Sequence, residues 1–336
     1  MINKKEFLIR FKKNKRGLWS FIILVSIFVI SLFAEFIAND KPLIVSYNKK
    51  FYFPIFTQIS EEEFSGQLKT PADFRDPYVQ ELIKAKGWYL MPPINFSYET
   101  INMYLNSPAP SHPSSQNLLG TDDQGRDVLA RLIYAVRLSM LFALSLSFFT
   151  IIVAILIGAC QGYFAGIFDL SMQRFIEIWS SLPMMFLLII FSAIIAPSFF
   201  SLLLIMSMFS WISLSGIVRA EFLRLRNFEF VMATKALGAS SLRIIFRHIL
   251  PNASPVIFAN LPFLIASALT TLSALDFLGL GMPVGSPSLG EILAQGKNNI
   301  QAYWLGLVGF FSLTILLTCL VFLGEALRDG FDVRKF

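Results

Sequence analysis

The sequence predicts an all-α integral membrane protein with six transmembrane helices and an extracytoplasmic insertion after the first. Three observations carry that expectation. The 336 residues are 55% hydrophobic and 15% charged, with a mean hydropathy of +0.63, whereas a soluble domain carries about 25% charged residues. Several long stretches contain no Asp, Glu, Lys or Arg, and Lys and Arg gather in particular short loops. A net charge of +6 fits basic residues that flank apolar spans and face anionic lipid. No basic patch with interleaved aromatics argues for nucleic acid, so membrane lipid is the expected partner.

A helix crosses the hydrocarbon core with about 20 residues, because it must satisfy its backbone internally at about 1.5 Å per residue. The charge-free runs are Gly17 to Ala34, Leu138 to Phe168, Ile178 to Val218, His248 to Leu275 and Asn298 to Gly324. The third is about twice the needed length, and Ala196-Pro197-Ser198 near its middle can close a tight turn. It therefore counts as a hairpin, which brings the total to six. The first run is longer than the roughly 7–15 residues of a cleavable signal, and Phe36 spoils a small-x-small site ending at Ala38. An uncleaved first helix is expected.

Positive charge is retained in the cytoplasm. Lys4, Lys5, Arg10, Lys12, Lys13, Lys15 and Arg16 stand against Glu6, which puts the N-terminus inside, and an even number of spans returns the C-terminus to the same side. The loop between the fourth and fifth spans carries Arg219, Arg224, Arg226, Lys235, Arg243 and Arg247, as a cytoplasmic loop should. The expected organisation is an arm and first helix over 1–38, an extracytoplasmic insertion over 39–137, a five-helix core over 138–325 containing the loop 219–253, and a cytoplasmic tail over 326–336. The insertion, with Phe51-Tyr52-Phe53 and Glu61-Glu62-Glu63, is expected to fold as mixed helix and turn.

Cys160 and Cys319 lie in apolar runs, and His112 and His248 stand far apart without a metal-ligand pattern. Neither metal nor cofactor is expected. The stretch from Gly290 to Gly296-Lys297-Asn298 has five residues between its glycines and Asn where a P-loop needs Ser or Thr. ATP hydrolysis is not expected of this chain.

Between the fourth and fifth spans, Asn227 to Gly238 and Ser240 to Pro251 read as two helices. Asn227 can cap the first, Gly238 can supply a left-handed turn, Ser240 can cap the second, and Pro251 can close the unit. Leu242, Ile245, Phe246 and Ile249 recur at i, i+3, i+4 and i+7, an apolar face opposite Arg243 and Arg247. This segment resembles the EAA loop of ABC importer permeases. Met232 stands at the family's Glu, Ala233 and Thr234 at its two alanines, Gly238 at its glycine, and Leu250-Pro251 at its end. The resemblance implies the type I ABC importer permease fold and a coupling helix, with Met232, Ala233, Thr234, Gly238, Leu242, Ile245, Leu250 and Pro251 seated on a cytoplasmic ABC ATPase. ATP-Mg would be bound by that partner. Met232 brings no carboxylate, so no ion pair is implied there.

A second motif is Leu119-Gly120-Thr121-Asp122-Asp123-Gln124-Gly125-Arg126-Asp127, ending at Ala130-Arg131. It is similar to the LGTDxxGRDxxSR signature of dipeptide and oligopeptide permeases. Thr121 or Asp122 can cap a helix entering the membrane, and Arg126 can pair with a neighbouring carboxylate; the expected role is structural. A third, Asp276-Phe-Leu-Gly279-Leu-Gly281 followed by Pro287-Ser288-Leu289-Gly290, resembles a stretch of the same permeases in which the glycines permit a sharp turn. Ala34 to Pro42, with Tyr52-Phe53-Pro54 and the enlarged insertion, resembles the Yej-type peptide permeases. That resemblance implies import of oligopeptides, including peptide-nucleotide antibiotics of the microcin C kind. It also implies a second homologous permease subunit forming a heterodimer, and a periplasmic peptide-binding protein.

The alternative from another class is an ion-coupled secondary transporter of small solutes. Such proteins need ionisable groups near the midplane, and Glu35, Arg174, Glu177 and Asp276 are expected only at span ends.

Overall fold

The computed structural model describes residues 4–66, 68–105 and 107–331; residues 332–336 of the expected tail lie outside the described residues. The chain divides into two compact units. One comprises Met1–Val25, Ser139–Val284 and Leu313–Phe336, and the other Ser26–Leu138 and Gly285–Ser312.

The helices in chain order are α1 (Lys4–Lys13), α2 (Lys15–Leu32), α3 (Ala34–Ile37), α4 (Pro77–Lys86), α5 (Val128–Phe164), α6 (Gly166–Ser180), α7 (Met184–Ile194), α8 (Phe199–Leu225), α9 (Glu229–Ala236), α10 (Ser241–Arg243), α11 (Leu250–Phe277), α12 (Leu289–Asn298) and α13 (Tyr303–Phe331). A π-helical turn, Ile244–Ile249, joins α10 to α11. Among the described residues, α2, α5, α8, the continuous Ser241–Phe277 and α13 are long and apolar enough to cross a membrane. A bent pair, Gly166–Ser180 with Met184–Phe191, turning by 63°, brings the number to six when it is counted as one span. It begins twelve residues before Ile178, the expected start, because Asp169, Arg174 and Glu177 lie inside α6 and a charge-free window stops short of them. The bend falls at Ser181-Leu182-Pro183, where proline removes a backbone donor and disfavours helix at the residue before it. The expected hairpin turn is present at Ile195 to Ser198, and Ser198 and Ser201 form a reciprocal capping box at the start of α8.

Within the first unit α5 and α8 approach closely. A Cβ at Gly158 would lie 2.8 Å from Val218 Cβ, and one at Gly162 would lie 2.6 Å from Arg219 O. Small residues four apart let two backbones meet, which is how helices gain contact where lipid supplies no hydrophobic drive. Around this crossing Ala154, Ala159, Trp211, Leu214, Val218 and Phe222 form the buried core.

The insertion contains a sheet rather than the expected helix and turn alone. β1 (Ile44–Tyr47), β2 (Lys50–Tyr52) and β3 (Gly87–Leu90) pair antiparallel in the order β2-β1-β3. Asn48 and Lys49 both have positive φ, the geometry that a two-residue hairpin turn demands. Val45 and Tyr47 pack with Ile59, Phe64, Phe74, Val79 and Ile83, and the Tyr47 hydroxyl donates to Phe64 O at 3.0 Å. α4 starts at Pro77, with the Asp76 carboxylate accepting from Tyr78 N at 2.8 Å.

Candidate functional site

The loop between α8 and α11 has a buried base and an exposed apolar tip. Its base is anchored by Phe222, Leu225, Val231, Ile244, Ile245 and Ile249, which share one core with Ala253 and Ile257. At its tip Leu237 is 88% exposed, Leu242 68% and Met232 54%, with Phe228 and Phe246 also outside. Ala233, Gly238 and Pro251 are exposed, while Thr234 and Leu250 are half-buried. Thr234 Oγ1 donates back to Phe230 O at 2.6 Å.

Gly238 adopts φ +80° and ends the turn, as expected. The caps differ. Phe228 occupies the N-cap of α9 without a side-chain bond, and the Asn227 amide nitrogen turns back to Leu223 O at 3.4 Å. Ser240 stands at the N-cap of α10, also without a side-chain bond. Pro251 does not close the unit: it sits in the first turn of α11, where its missing N–H costs little, and the helix runs on to Phe277. The apolar face also differs from the expected one. Ile244, Ile245 and Ile249 point inward, whereas Leu242 and Phe246 face out. A π-helical turn spaces its bonds five residues apart and so rotates side chains away from a 3.6-residue reading.

The loop is tied to α6 and α5. Arg219, near the end of α8, donates to Asp169 of α6 through Nε at 2.6 Å and also through Nη2. With its amide oriented as hydrogen bonding selects, Gln173 Oε1 accepts from Arg219 Nη1 at 3.0 Å. Gln161 of α5 reaches Asp169 at 3.4 Å. Arg226 Nη1 donates to Tyr163 O at 3.4 Å, and the Tyr163 hydroxyl to Ser241 Oγ at 3.4 Å. In the sequence Arg219 stands out only as a loop charge, and this cluster is not apparent there. The available signal was Asp169-x-x-x-Gln173, two polar groups on one helix face next to an apolar run.

In the other unit the 119–131 motif is a buried ionic knot. The Asp122 carboxylate accepts from Gln124 N at 3.0 Å, Arg126 N at 2.9 Å and Arg126 Nε at 2.7 Å, and Arg131 Nε lies 3.4 Å away. Arg131 is buried and donates to the carbonyls of Tyr98, Gly285 and Ser286 at 3.2–3.3 Å. Arg126 thus pairs as expected, but neither Thr121 nor Asp122 caps α5. Asp127 does, accepting from Ala130 N at 2.7 Å and from Asn117 Nδ2 at 2.8 Å. The reason is that Asp122 opens the turn closed by Gly125, while Asp127 directly precedes Val128. Burial pushes the Asp127 carboxyl up from the usual carboxylate range, and those hydrogen bonds oppose it. Thr121 Oγ1 accepts from Ser111 N, Leu119 packs beside Val128 and Trp304, and Gly120 is buried.

The Asp276 to Gly281 part of the third motif lies at the end of α11, in the first unit, and Pro287 to Gly290 belongs to the second unit, where Ser288 caps α12. Asp276 is buried and Oδ1 accepts from Met282 N at 2.7 Å. Gly279 has φ +74°, and Gly281 leaves no room for a Cβ beside the Asp276 carboxylate. The near P-loop stretch forms helix α12, not a phosphate-cradling loop.

Residues 150–335 match the family described as binding-protein-dependent transport system inner membrane component. The chain belongs to this family. Residues 4–54 also match the N-terminal TM domain of oligopeptide transport permease C. The chain is 51% identical to the inner membrane ABC transporter permease protein YejE of Escherichia coli (strain K12), over 97% of this chain and 96% of that one. It is 49% identical to the peptidoglycan transport system permease protein YejE of Agrobacterium fabrum, over 97% and 91%. The oligopeptide transport system permease protein OppC of Haemophilus influenzae is 33% identical over 71% of this chain and 77% of its own length. A solved structure of the MetNI methionine ABC transporter superposes with a TM-score of 0.51, at 16% identity, over 61% of this chain and 98% of that one. This last likeness establishes the type I ABC importer permease fold. As a permease of this family the chain is a multi-pass inner membrane subunit and not an enzyme; hydrolysis belongs to a separate ATPase subunit, and the ion-coupled alternative is not favoured.

Proposed function

We propose that this chain is the permease subunit through which an ABC importer moves oligopeptides across the inner membrane, including peptide-nucleotide antibiotics of the microcin C kind. Its termini are cytoplasmic, and the segment 39–137 faces the periplasm, where a peptide-binding protein delivers substrate. A second homologous permease completes the pore as a heterodimer. A cytoplasmic ABC ATPase binds ATP-Mg and receives the loop 219–253, with Met232, Leu237 and Leu242 at the contact. This chain itself holds no cofactor or metal.

The observation that carries this reading is the end-to-end likeness to two ABC permeases, one of them named for peptidoglycan transport, together with 33% identity to an oligopeptide permease over 71% of this chain. The loop's construction supports the mechanism. Apolar side chains at an exposed tip gain from being covered by a partner, and a base fused to the core of α5, α8 and α11 passes any movement of the tip directly to the spans. The Arg219–Asp169 pair extends that link to α6. Closure of the ATPase therefore tilts several spans at once.

Purification of the tagged chain in mild detergent should bring down a nucleotide-hydrolysing subunit and a second permease. The reconstituted complex should accumulate a radiolabelled pentapeptide only with ATP and a binding protein. A complex that hydrolyses ATP yet imports no peptide would overturn the substrate assignment, and a complex with no ATPase would overturn the mechanism.

A further inference from the structure

The first unit contains a cavity that the loop's docking role does not use. It measures about 310 Å³ and lies among α5, α7, α8 and α11. Its polar lining includes Ser147 and Thr150 on α5, Ser210 and Ser213 on α8, and Asn260 and Ser267 on α11, and no Asp, Glu, Lys or Arg lines it. The spacings are i, i+3 on two helices and i, i+7 on the third, intervals that place side chains on one face. Three helices thus turn a neutral polar stripe toward one space.

Hydroxyls in apolar helices are usually satisfied by a carbonyl one turn back. Ser215 and Thr271 do this here, toward Ile212 and Ser267. Ser147 does not: it is 1% exposed, lines the cavity, and its Oγ has no hydrogen-bond partner. Thr150 and Ser210 share a hydrogen bond across the helices at 2.5 Å. The Asn260 amide nitrogen is held by Val256 O at 2.7 Å, which leaves its carbonyl oxygen free to accept.

We propose that this groove is a binding site for the main chain of an extended peptide in transit. The inference rests on the peptide reading given under Proposed function and assigns residues to it. A peptide backbone presents a donor and an acceptor at each residue, and a hydroxyl can serve either. A lining without charge reads amides and is indifferent to side-chain charge. Met184, Met206 and Phe209, also in the lining, supply apolar contact that adapts to varied side chains. From Asn260 to Thr271 the α11 stripe runs about 16 Å at ~1.5 Å per residue, the length of roughly five extended residues.

The test uses the assembled transporter in proteoliposomes, with Cys160 and Cys319 replaced by Ala and the exposed groove positions carrying Ser213→Cys or Ser267→Cys. Penta-alanine should slow maleimide labelling of either cysteine at least about fivefold, and the N-methylated peptide, which lacks amide donors, should not. Ser147→Ala should lower penta-alanine uptake at least about tenfold. Labelling indifferent to penta-alanine, together with wild-type uptake by Ser147→Ala, would overturn the inference while leaving the peptide reading intact. Failure of the unsubstituted transporter to import penta-alanine while hydrolysing ATP would overturn the peptide reading, and this inference with it.

Discussion

Leu237→Glu combined with Leu242→Glu should reduce ATP-driven uptake at least about tenfold without disturbing the fold of the chain. Both side chains are largely exposed, at 88% and 68%, so neither substitution opens a cavity or buries a charge in the permease itself. The cost falls on docking. On the proposed docking, two carboxylates introduced at the centre of an apolar contact must be desolvated when the ATPase covers them, and a hot-spot position in such a contact carries ~2 kcal/mol or more. A tenfold loss needs only ~1.4 kcal/mol. The measurement is ATPase recovered with the tagged variant, alongside uptake in proteoliposomes. Wild-type recovery and wild-type uptake would show that the tip is a bystander.

Asp122→Ala should destabilise the chain by ~3–5 kcal/mol, the usual cost of removing one partner of a buried ion pair. Asp122 is fully buried and serves the guanidinium of Arg126 directly, with Arg131 3.4 Å away. Without it two buried cations lose their carboxylate, and the turn from Asp122 to Gly125 loses the side-chain acceptor that holds Gln124 N and Arg126 N. Glu81→Ala, on the exposed side of α4, should stay within about 0.5 kcal/mol of the unaltered protein. Thermal unfolding in detergent compares the two. Equal melting temperatures would mean that the 119–131 motif is not a structural knot.

The spans were legible because a bilayer imposes a length and forbids unpaired charge, so Gly17 to Ala34 or Asn298 to Gly324 announces itself. The same rule hid the start of the third span. Asp169 is tolerated in α6 because Arg219 from α8 neutralises it, and a pairing fifty residues distant leaves no local trace. In the loop, Gly238 was readable from the conformation it must adopt. The inward face was not, since the π-helical turn at Ile244–Ile249 breaks the 3.6-residue period on which the reading depended. The insertion's sheet was missed because its strands are only three or four residues long, too short for an alternation pattern to stand out. Ser147, Thr150, Ser210 and Ser213 do not stand out in the sequence, because only packing shows that they meet.

The central claim is that the tip at Leu237 is a cytoplasmic handle gripped by an ATPase. In a chain with Cys160→Ala and Cys319→Ala, Leu237→Cys should resist a membrane-impermeant maleimide added to intact spheroplasts. It should react in inverted vesicles stripped of peripheral protein, and be shielded again when the ATPase is restored. Labelling from the outer face of spheroplasts, or reactivity in inverted vesicles that the ATPase leaves unchanged, would contradict the account.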